Sequence, residues 1–458
     1  MIPPHDIRAC QHTPTTPAQP APLPADIVVV GAGPAGVAAA EAAVRCGSSV
    51  TLIDSAPRLG GQYGRQAFDT AYVGIPGVQH LANTVVWAVE PLERGHRLHL
   101  RTGPADAPDR VATVLDARSL ILATGAYDRA IPFPGWDLPG VCTAGAAQAL
   151  AKGQRVAVGD RVLLAGTGPF LLPVAESLVN VGSRVLGVLE ANSPTGWMRD
   201  LRGTFAGRGK AAELAGYAAM LAKHRIPYLP RTTVIAAHGS GHVTAVTVAK
   251  LDRDWNVVPG SEKRLDVDAV CVGFGFVPQI DLAVATGCDV DKGFVRVDSA
   301  QRTSVAGVFA AGEITGIGGA DLAAAEGTVA GTAAARGDVP HHALRTVRKG
   351  RMFAGALAAA HPVQPGWRSW LDSDTLICRC EEVSYGELCQ AVEQRQVRDL
   401  RSLKLVSRVG LGPCQGRICG RAVAELTGIT ETVRRPIAAP IRLGELADTP
   451  LHPEEDPA

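Results

Sequence analysis

DIVVVGAGPAGVAAAEAAVRCGSSVTLID, residues Asp26 to Asp54, decides the fold. It reads as strand, glycine turn, small-residue helix, strand and terminal acid, the unit that takes the ADP half of a dinucleotide. Gly31 permits the tight turn, Gly33 lets the backbone approach a pyrophosphate, and Gly36 lets the alanine-rich helix lie close on the sheet. The amino end of that helix faces the phosphates with partial positive charge. Asp54, where the second strand ends, is placed to accept hydrogen bonds from a pair of ribose hydroxyls. A lone glycine turn is a weak signal; here the flanking strand, the helix and the acid all fall at the right spacing.

Working outward, Gly60, Gly61 and Gln62 form a loop able to pass close to a bound flavin, and LILATG, Leu120 to Gly125, reads as the returning strand of the same unit. A second unit then repeats the first. RVLLAGTGPFLLPVAESLVNVGSRVLGVLE puts Gly166, Gly168, Pro169 and Glu190 at nearly the spacing of Gly31, Gly33, Pro34 and Asp54, an internal duplication. Its third glycine position is Leu171, so helix-to-strand packing is altered. Glu190 suits NAD better than NADP, and weak binding, a different nucleotide or a purely structural role all stay open. Asp266 to Phe276 gives a further strand and turn, and GVFAAGEITGIGGADLAAAEG, Gly307 to Gly327, gives a strand ending in Gly312-Glu313, a glycine loop and an alanine-rich helix. Amides at that helix start could meet a pyrophosphate or flavin ring, and Glu313 could reach a ribityl chain.

The chain has 458 residues, 46% hydrophobic and only 5% aromatic, which fits an α/β protein of two or three domains rich in alanine, valine and glycine. A formal net charge of +1 argues against a nucleic-acid binder, and no apolar run is long enough for a membrane span. Residues 1–24 carry seven prolines without a signal-type core, which predicts a disordered or partner-contacting arm and a cytoplasmic location. Peripheral membrane contact through an electron acceptor is compatible with this. Ten cysteines in a reducing compartment point to metal or redox chemistry more than to disulfides.

The cysteine-bearing stretch is TLICRCEEVSYGELCQAVEQRQVRDLRSLKLVSRVGLGPCQGRICG. Cys378 and Cys380 form one close pair, Cys414 and Cys419 another, with 33 residues between the pairs. Two thiolate pairs on two loops supply the four sulfurs of a 2Fe-2S cluster, and zinc would accept the same ligands. Cys389 falls on an amphipathic helix, Tyr385 to Gln394, and reads as core. Gly410, Gly412 and Gly416 let loop amides point at sulfides, while Arg379, Arg408 and Arg417 either offset cluster charge or form solvated surface. Before this stretch, Arg336 to Ala360 reads as basic and helical and HPVQPGW as a linker, with His341-His342 in a loop. After it, the tail packs IRLGELA on the body and frays beyond.

VGAGPAG, GGQ, LATG and AGE together resemble the two-dinucleotide-domain flavoproteins, from about Asp26 to Gly331. The resemblance implies an α/β fold with FAD on Gly31, Gly33, Pro34, Ala35, Gly36, Asp54, Ser55, Gly61, Gln62, Ala123, Thr124, Gly125, Gly312, Glu313, Gly319 and Ala320. The family usually has Asp where Glu313 stands. It implies NAD or another nucleotide on Gly166, Gly168, Pro169 and Glu190. No redox CxxC occurs in this region, so Cys46, Cys142, Cys271 and Cys288 read as buried small hydrophobes. The pattern CxC, about thirty residues, CxxxxC resembles the bacterioferritin-associated-ferredoxin-like domain, which implies a 2Fe-2S cluster on Cys378, Cys380, Cys414 and Cys419. The expected organisation is an FAD domain over 25–150 and 272–335, an inserted dinucleotide domain over 151–271, a helical linker over 336–371, a small helical iron-sulfur domain over 372–432 and a tail over 433–458.

The combination resembles the larger redox subunit of the opine oxidase, hydroxyproline dehydrogenase and hydrogen cyanide synthase group. That implies a hetero-oligomer in which an amino-acid-oxidase-like flavoprotein partner removes a hydride at a C-N bond and this chain relays electrons. The resemblance leaves room for FMN at a subunit interface and for a small 2Fe-2S ferredoxin-like subunit. No catalytic triad, HExxH, P-loop or clustered carboxylate pair stands out, and no catalytic residue is assigned. The rival readings are a self-contained NAD(P)H-dependent reductase feeding its own cluster and a zinc-stapled docking module.

Overall fold

The computed structural model describes residues 25–65, 74–105, 107, 109–430 and 435–447. The proline-rich arm and the end of the tail lie outside the described residues.

Four parallel strands form the first sheet in the order Val78–Leu81, Val50–Ile53, Ala25–Val30, Val111–Leu122. The last of these is long because it serves two neighbourhoods. Its first half pairs antiparallel with Gly95–Thr102, which pairs in turn with Thr84–Leu92. Its last residues run between Ala25–Val30 and the returning strand Val308–Ala310, parallel to both. The apolar runs are buried on both faces, as parallel strands covered by helices require.

The covering helices on one face are Pro34–Arg45 and Ala320–Ala334. They touch backbone to backbone. A Cβ on Gly327 would stand 2.0 Å from the Ala35 carbonyl oxygen, and one on Gly331 would stand 2.1 Å from that of Ala39. Only glycine and alanine allow such an approach, which explains the low side-chain bulk of both helices.

A second sheet, all parallel, has the order Tyr228–Pro230, Arg184–Glu190, Arg161–Gly166, Ala269–Gly273, Val141–Thr143. A three-stranded antiparallel sheet, Thr232–His238, Ala245–Lys250 and Lys263–Asp266, packs beside it. The expected domain boundary at residue 150 is corrected: Val141–Thr143 and the helix Ala144–Gln154 belong to the second sheet. The chain crosses outward after Ala126–Asp128 and returns at Phe276–Pro278, and these two strands pair antiparallel. A three-residue edge strand carries too little periodicity to be read in advance.

Two other expectations change. His341 and His342 open the helix His341–Ala360 instead of lying in a loop. HPVQPGW is a docked strap rather than a free linker: Trp367 and Trp370 are buried, and Trp370 stacks on Trp255 at 6.1 Å and donates from Nε1 to the Trp255 carbonyl at 3.1 Å.

The cysteine-bearing module has its own core of Ile377, Leu388, Leu403 and Val423. Its helix Tyr385–Glu393 starts on a reciprocal capping box between Ser384 and Glu387. The tail does dock through IRLGELA: in the short helix Leu443–Ala447, Glu445 is buried and accepts 2.7 and 2.6 Å hydrogen bonds from Arg110. Among the described residues no helix is long and apolar enough to cross a membrane.

Two stability measurements check this packing. Gly331→Ala is expected to cost about 1–3 kcal/mol through the clash with Ala39, whereas Gly355→Ala, with open space at its Cβ, gains roughly 0.5–1 kcal/mol; thermal melts separate them. The Arg110 guanidinium also holds the Glu445 carboxyl down at about 2, from an ordinary 4.5. Its contribution is therefore full above pH 4.5 and lost as pH falls from there toward about 2, so the penalty of Glu445→Gln in denaturant titrations should shrink across that window.

Candidate functional site

The glycines around the first turn are of two kinds. Gly31, at φ +103°, is a packing glycine, since a Cβ would stand 2.2 Å from the Ala123 carbonyl oxygen; a Cβ on Gly36 would stand 1.7 Å from that of Gly31. Gly33, Gly125 and Gly319 differ, because no heavy atom lies within 4 Å of where their Cβ would be. These three open glycines sit at the turn, just past the strand Val111–Leu122 and at the start of helix Ala320–Ala334, where a dinucleotide backbone would run. Gly61 lies against Gly33, its Cβ position 2.8 Å from the Gly33 Cα, and the Gly60 amide donates to the Ala32 carbonyl at 2.8 Å. The GGQ loop is thus seated on the turn, with Gln62 accepting from Arg65.

Asp54 is half-buried and accepts from the Ala32 amide at 2.5 Å and the Ala56 amide at 2.7 Å. These leave lone pairs on both oxygens for a ribose. Thr124 spends its hydroxyl on the Gln279 carbonyl at 2.6 Å. Glu313, expected to reach a ribityl chain, accepts from the Gly319 amide at 2.8 Å, and burial raises its carboxyl pKa. The acid thereby caps the very helix start expected to meet a ligand, because a desolvated carboxylate takes the nearest amide donors.

Sequence reasoning missed Glu326 and Arg351. Glu326 is fully buried, accepts from the Gly312 amide and the Thr315 hydroxyl at 2.9 Å each, and lies 2.7 Å from Arg351 Nε. Burial raises its pKa against the opposing pull of Arg351. Arg351 also donates to the Thr315 carbonyl at 2.7 Å. The network holds the Gly312-Glu313 turn from behind. An acid in the middle of a helix otherwise made of small and apolar residues, Glu326, was the available signal.

The second unit resembles the first at its acid, with the turn amide shifted one residue along the glycine motif. Glu190 accepts from the Gly168 amide at 2.8 Å and the Asn192 amide at 2.9 Å, the positions 22 before and 2 after it, as Ala32 and Ala56 stand to Asp54. Two more groups then crowd it: the Thr167 hydroxyl donates at 2.7 Å and His361 Nδ1 lies 3.4 Å away. Glu190 is 1% exposed. Gly166 packs on Gly273, Gly168 faces open space before Pro169, and Leu171 is buried at the helix start.

In the C-terminal module, Cys378 and Cys419 hydrogen-bond to each other, and so do Cys380 and Cys414. The bond from Cys419, with the Gly410, Glu381 and Cys380 amides, holds the Cys378 thiol down at about 5, while Cys419 is pushed well up by the same bond and by burial. The thiols therefore stand as two pairs; among the described residues no group of three or more His, Cys, Asp or Glu is gathered tightly enough to hold a metal ion. Four sulfurs on two loops, with amides directed at Cys378, nonetheless fit the donor chemistry of a 2Fe-2S cluster. Cys389 is half-buried and bonded to Tyr385, outside both pairs.

Comparison with known proteins agrees with both parts of this geometry. Residues 25–327 match the pyridine nucleotide-disulphide oxidoreductase family. The chain belongs to that family. Residues 376–427 match the BFD-like [2Fe-2S] binding domain. The chain is 31% identical to an opine oxidase subunit from Agrobacterium tumefaciens over 93% of its own length and 92% of the relative's. It is likewise 31% identical to hydrogen cyanide synthase subunit HcnB of Pseudomonas aeruginosa, over 86% and 90%. In fold it resembles L-proline dehydrogenase from P. horikoshii, with a TM-score of 0.63 at 19% identity, over 93% of this chain and 79% of that one.

Membership in this oxidoreductase family implies a framework for FAD and a pyridine nucleotide, and the second match implies a 2Fe-2S site. Unlike a disulphide reductase, this member has no CxxC, yet the fold brings Cys142 and Cys271 to 3.8 Å on adjacent strands. Cys271 and Cys288 are buried as expected, Cys142 is half-buried, and Cys46 is exposed at a helix end, which corrects its reading as a core residue. The arginines near the thiols act as docking contacts. Arg379 lies over the Trp136 ring at 5.1 Å and donates to the Asp137 carbonyl, and Arg417 pairs with Asp281 at 3.3 Å. Arg408 pairs with Glu381.

Serine at Cys378 or Cys414 should abolish bound iron and acid-labile sulfide together with the visible absorbance, whereas Cys389→Ser keeps all three. Metal and sulfide analysis checks this; one zinc and no sulfide in the wild-type chain would contradict it.

Proposed function

We propose that this chain is the electron-relaying flavoprotein and iron-sulfur subunit of a larger dehydrogenase or oxidase complex that acts on amines or amino acids. The observation that carries the reading is the rigid docking of the four-thiol module on the dinucleotide-binding body. Trp136 Nε1 donates to the Leu376 carbonyl at 2.6 Å, two residues before Cys378, and Arg129 pairs with Glu425 at 2.5 Å. Such contacts fix the interval between two cofactor stations, which a relay needs and a tethered docking module does not.

Gly33, Gly125 and Gly319 would face FAD, Asp54 would take its ribose, and Cys378, Cys380, Cys414 and Cys419 would hold the cluster. A flavin exchanges electrons in pairs or singly and a 2Fe-2S cluster only singly, so the pair can join a two-electron oxidation to a one-electron acceptor. This chain's own residues hold and space the stations, and the substrate pocket belongs to a partner flavoprotein. Two relatives matched over most of their length are named as subunits, of an opine oxidase and a hydrogen cyanide synthase, which supports oxidation of a C-N bond by the assembly. The buried Glu190 carboxylate, already accepting three hydrogen bonds, weighs against a reductase fed by NADH.

Purifying the chain with whatever associates with it, and assaying an amino-acid and opine panel with a dye acceptor, tests the proposal. The expected result is amine-dependent dye reduction by the complex and at least about a hundredfold less by the isolated chain, a barrier difference near 2.7 kcal/mol. Full activity with no partner retained would refute it.

A further inference from the structure

We propose that the second dinucleotide position is closed to NAD(H) and serves as the socket for the strap that carries the iron-sulfur module. A nucleotide ribose would need free lone pairs on Glu190 and room beside it. Both are restricted. Glu190 already accepts from two amides and the Thr167 hydroxyl, and His361 Nδ1 stands 3.4 Å from it on the side a ribose would enter. Asn192 then reaches across, donating from Nδ2 to the Thr167 hydroxyl at 2.7 Å and to the Pro362 carbonyl at 2.9 Å. Trp197 closes the outer side, its ring edge-on to His361 at 5.4 Å.

The space left beside the strap, bordered by Asn192, Ser193, Arg231 and Ala360, is about 210 Å³, below the roughly 300–1,000 Å³ of ligand pockets. Asp54, the matching acid of the first unit, likewise accepts from one turn amide and from the amide two residues on and has, among the described residues, no strap. Duplication thus left two equivalent acids, one open and one used for anchoring. From this anchor the chain continues directly into Gly366, whose amide donates to the Asp254 carbonyl at 2.9 Å, and into the Trp255–Trp370 stack. The converted site therefore orients the segment that enters the cysteine loops. This holds whether or not the chain works with a partner.

The test uses the full chain with its cofactors. Titration with NADH, followed by its fluorescence, should show no saturable binding into the millimolar range. The double variant Asn192→Ala/His361→Ala should raise hydrogen exchange of the backbone over 361–371 by at least about tenfold while retaining bound iron. Saturable NADH binding to the wild-type chain that survives Asp54→Ala but not Glu190→Gln overturns the closure. Unchanged exchange in the double variant overturns the socket. Neither result bears on whether a partner flavoprotein oxidises the substrate.

Discussion

Everything in the first unit depends on backbone-to-backbone contact between the helices Pro34–Arg45 and Ala320–Ala334. Gly36 presses on Gly31, Gly327 on Ala35 and Gly331 on Ala39. Because nothing larger than glycine fits, the two helices lie directly against each other, with Gly327 opposite Ala35 and Gly331 opposite Ala39. The buried Glu326–Arg351 pair backs the Gly312-Glu313 turn; a group so deeply desolvated is tolerated because the Gly312 amide, the Thr315 hydroxyl and the Arg351 guanidinium surround it.

The duplication shows how context decides what a motif residue does. Asp54 and Glu190 end equivalent strands, and each accepts from a glycine-turn amide and from the amide two residues on. One carboxylate stays half-buried; the other is sealed by Thr167, His361 and Asn192. Glutamate is one methylene longer than aspartate, and the strap that meets it arrives from residues 170 positions away. No inspection of the repeat alone could reveal that strap.

The iron-sulfur module is held by contacts that look, in sequence, like charge compensation. Arg379 sits between Cys378 and Cys380, yet its guanidinium lies over Trp136 and bonds to Asp137. Arg417, between Cys414 and Cys419, is likewise engaged by the body, through Asp281. A planar guanidinium suits the double duty of Arg379, covering an aromatic face while donating at the edge. The result joins the cysteine loops to the very segment, Ala126 to Val141, through which the chain passes from one sheet to the other.

The sequence by itself determined the two dinucleotide units, the returning strand and the two thiol pairs. Each is encoded by residues close in the chain: Gly31 to Asp54 within one strand-turn-helix-strand, Cys378 beside Cys380, Cys414 near Cys419. Glycine turns and short cysteine spacings are local requirements of backbone geometry and ligand reach, so they are legible locally. Tertiary structure alone decided that Glu313 caps a helix, that Glu326 and Arg351 meet, that Cys142 faces Cys271 and that HPVQPGW is a strap. It also moved Val141–Thr143 into the second sheet. Glu313 finds its amide six residues on; in the other cases the deciding partner is distant in the chain, and burial forces a polar or aromatic group to find it. Whether an acid at the end of a strand stays open or is sealed depends on what the rest of the chain packs against it.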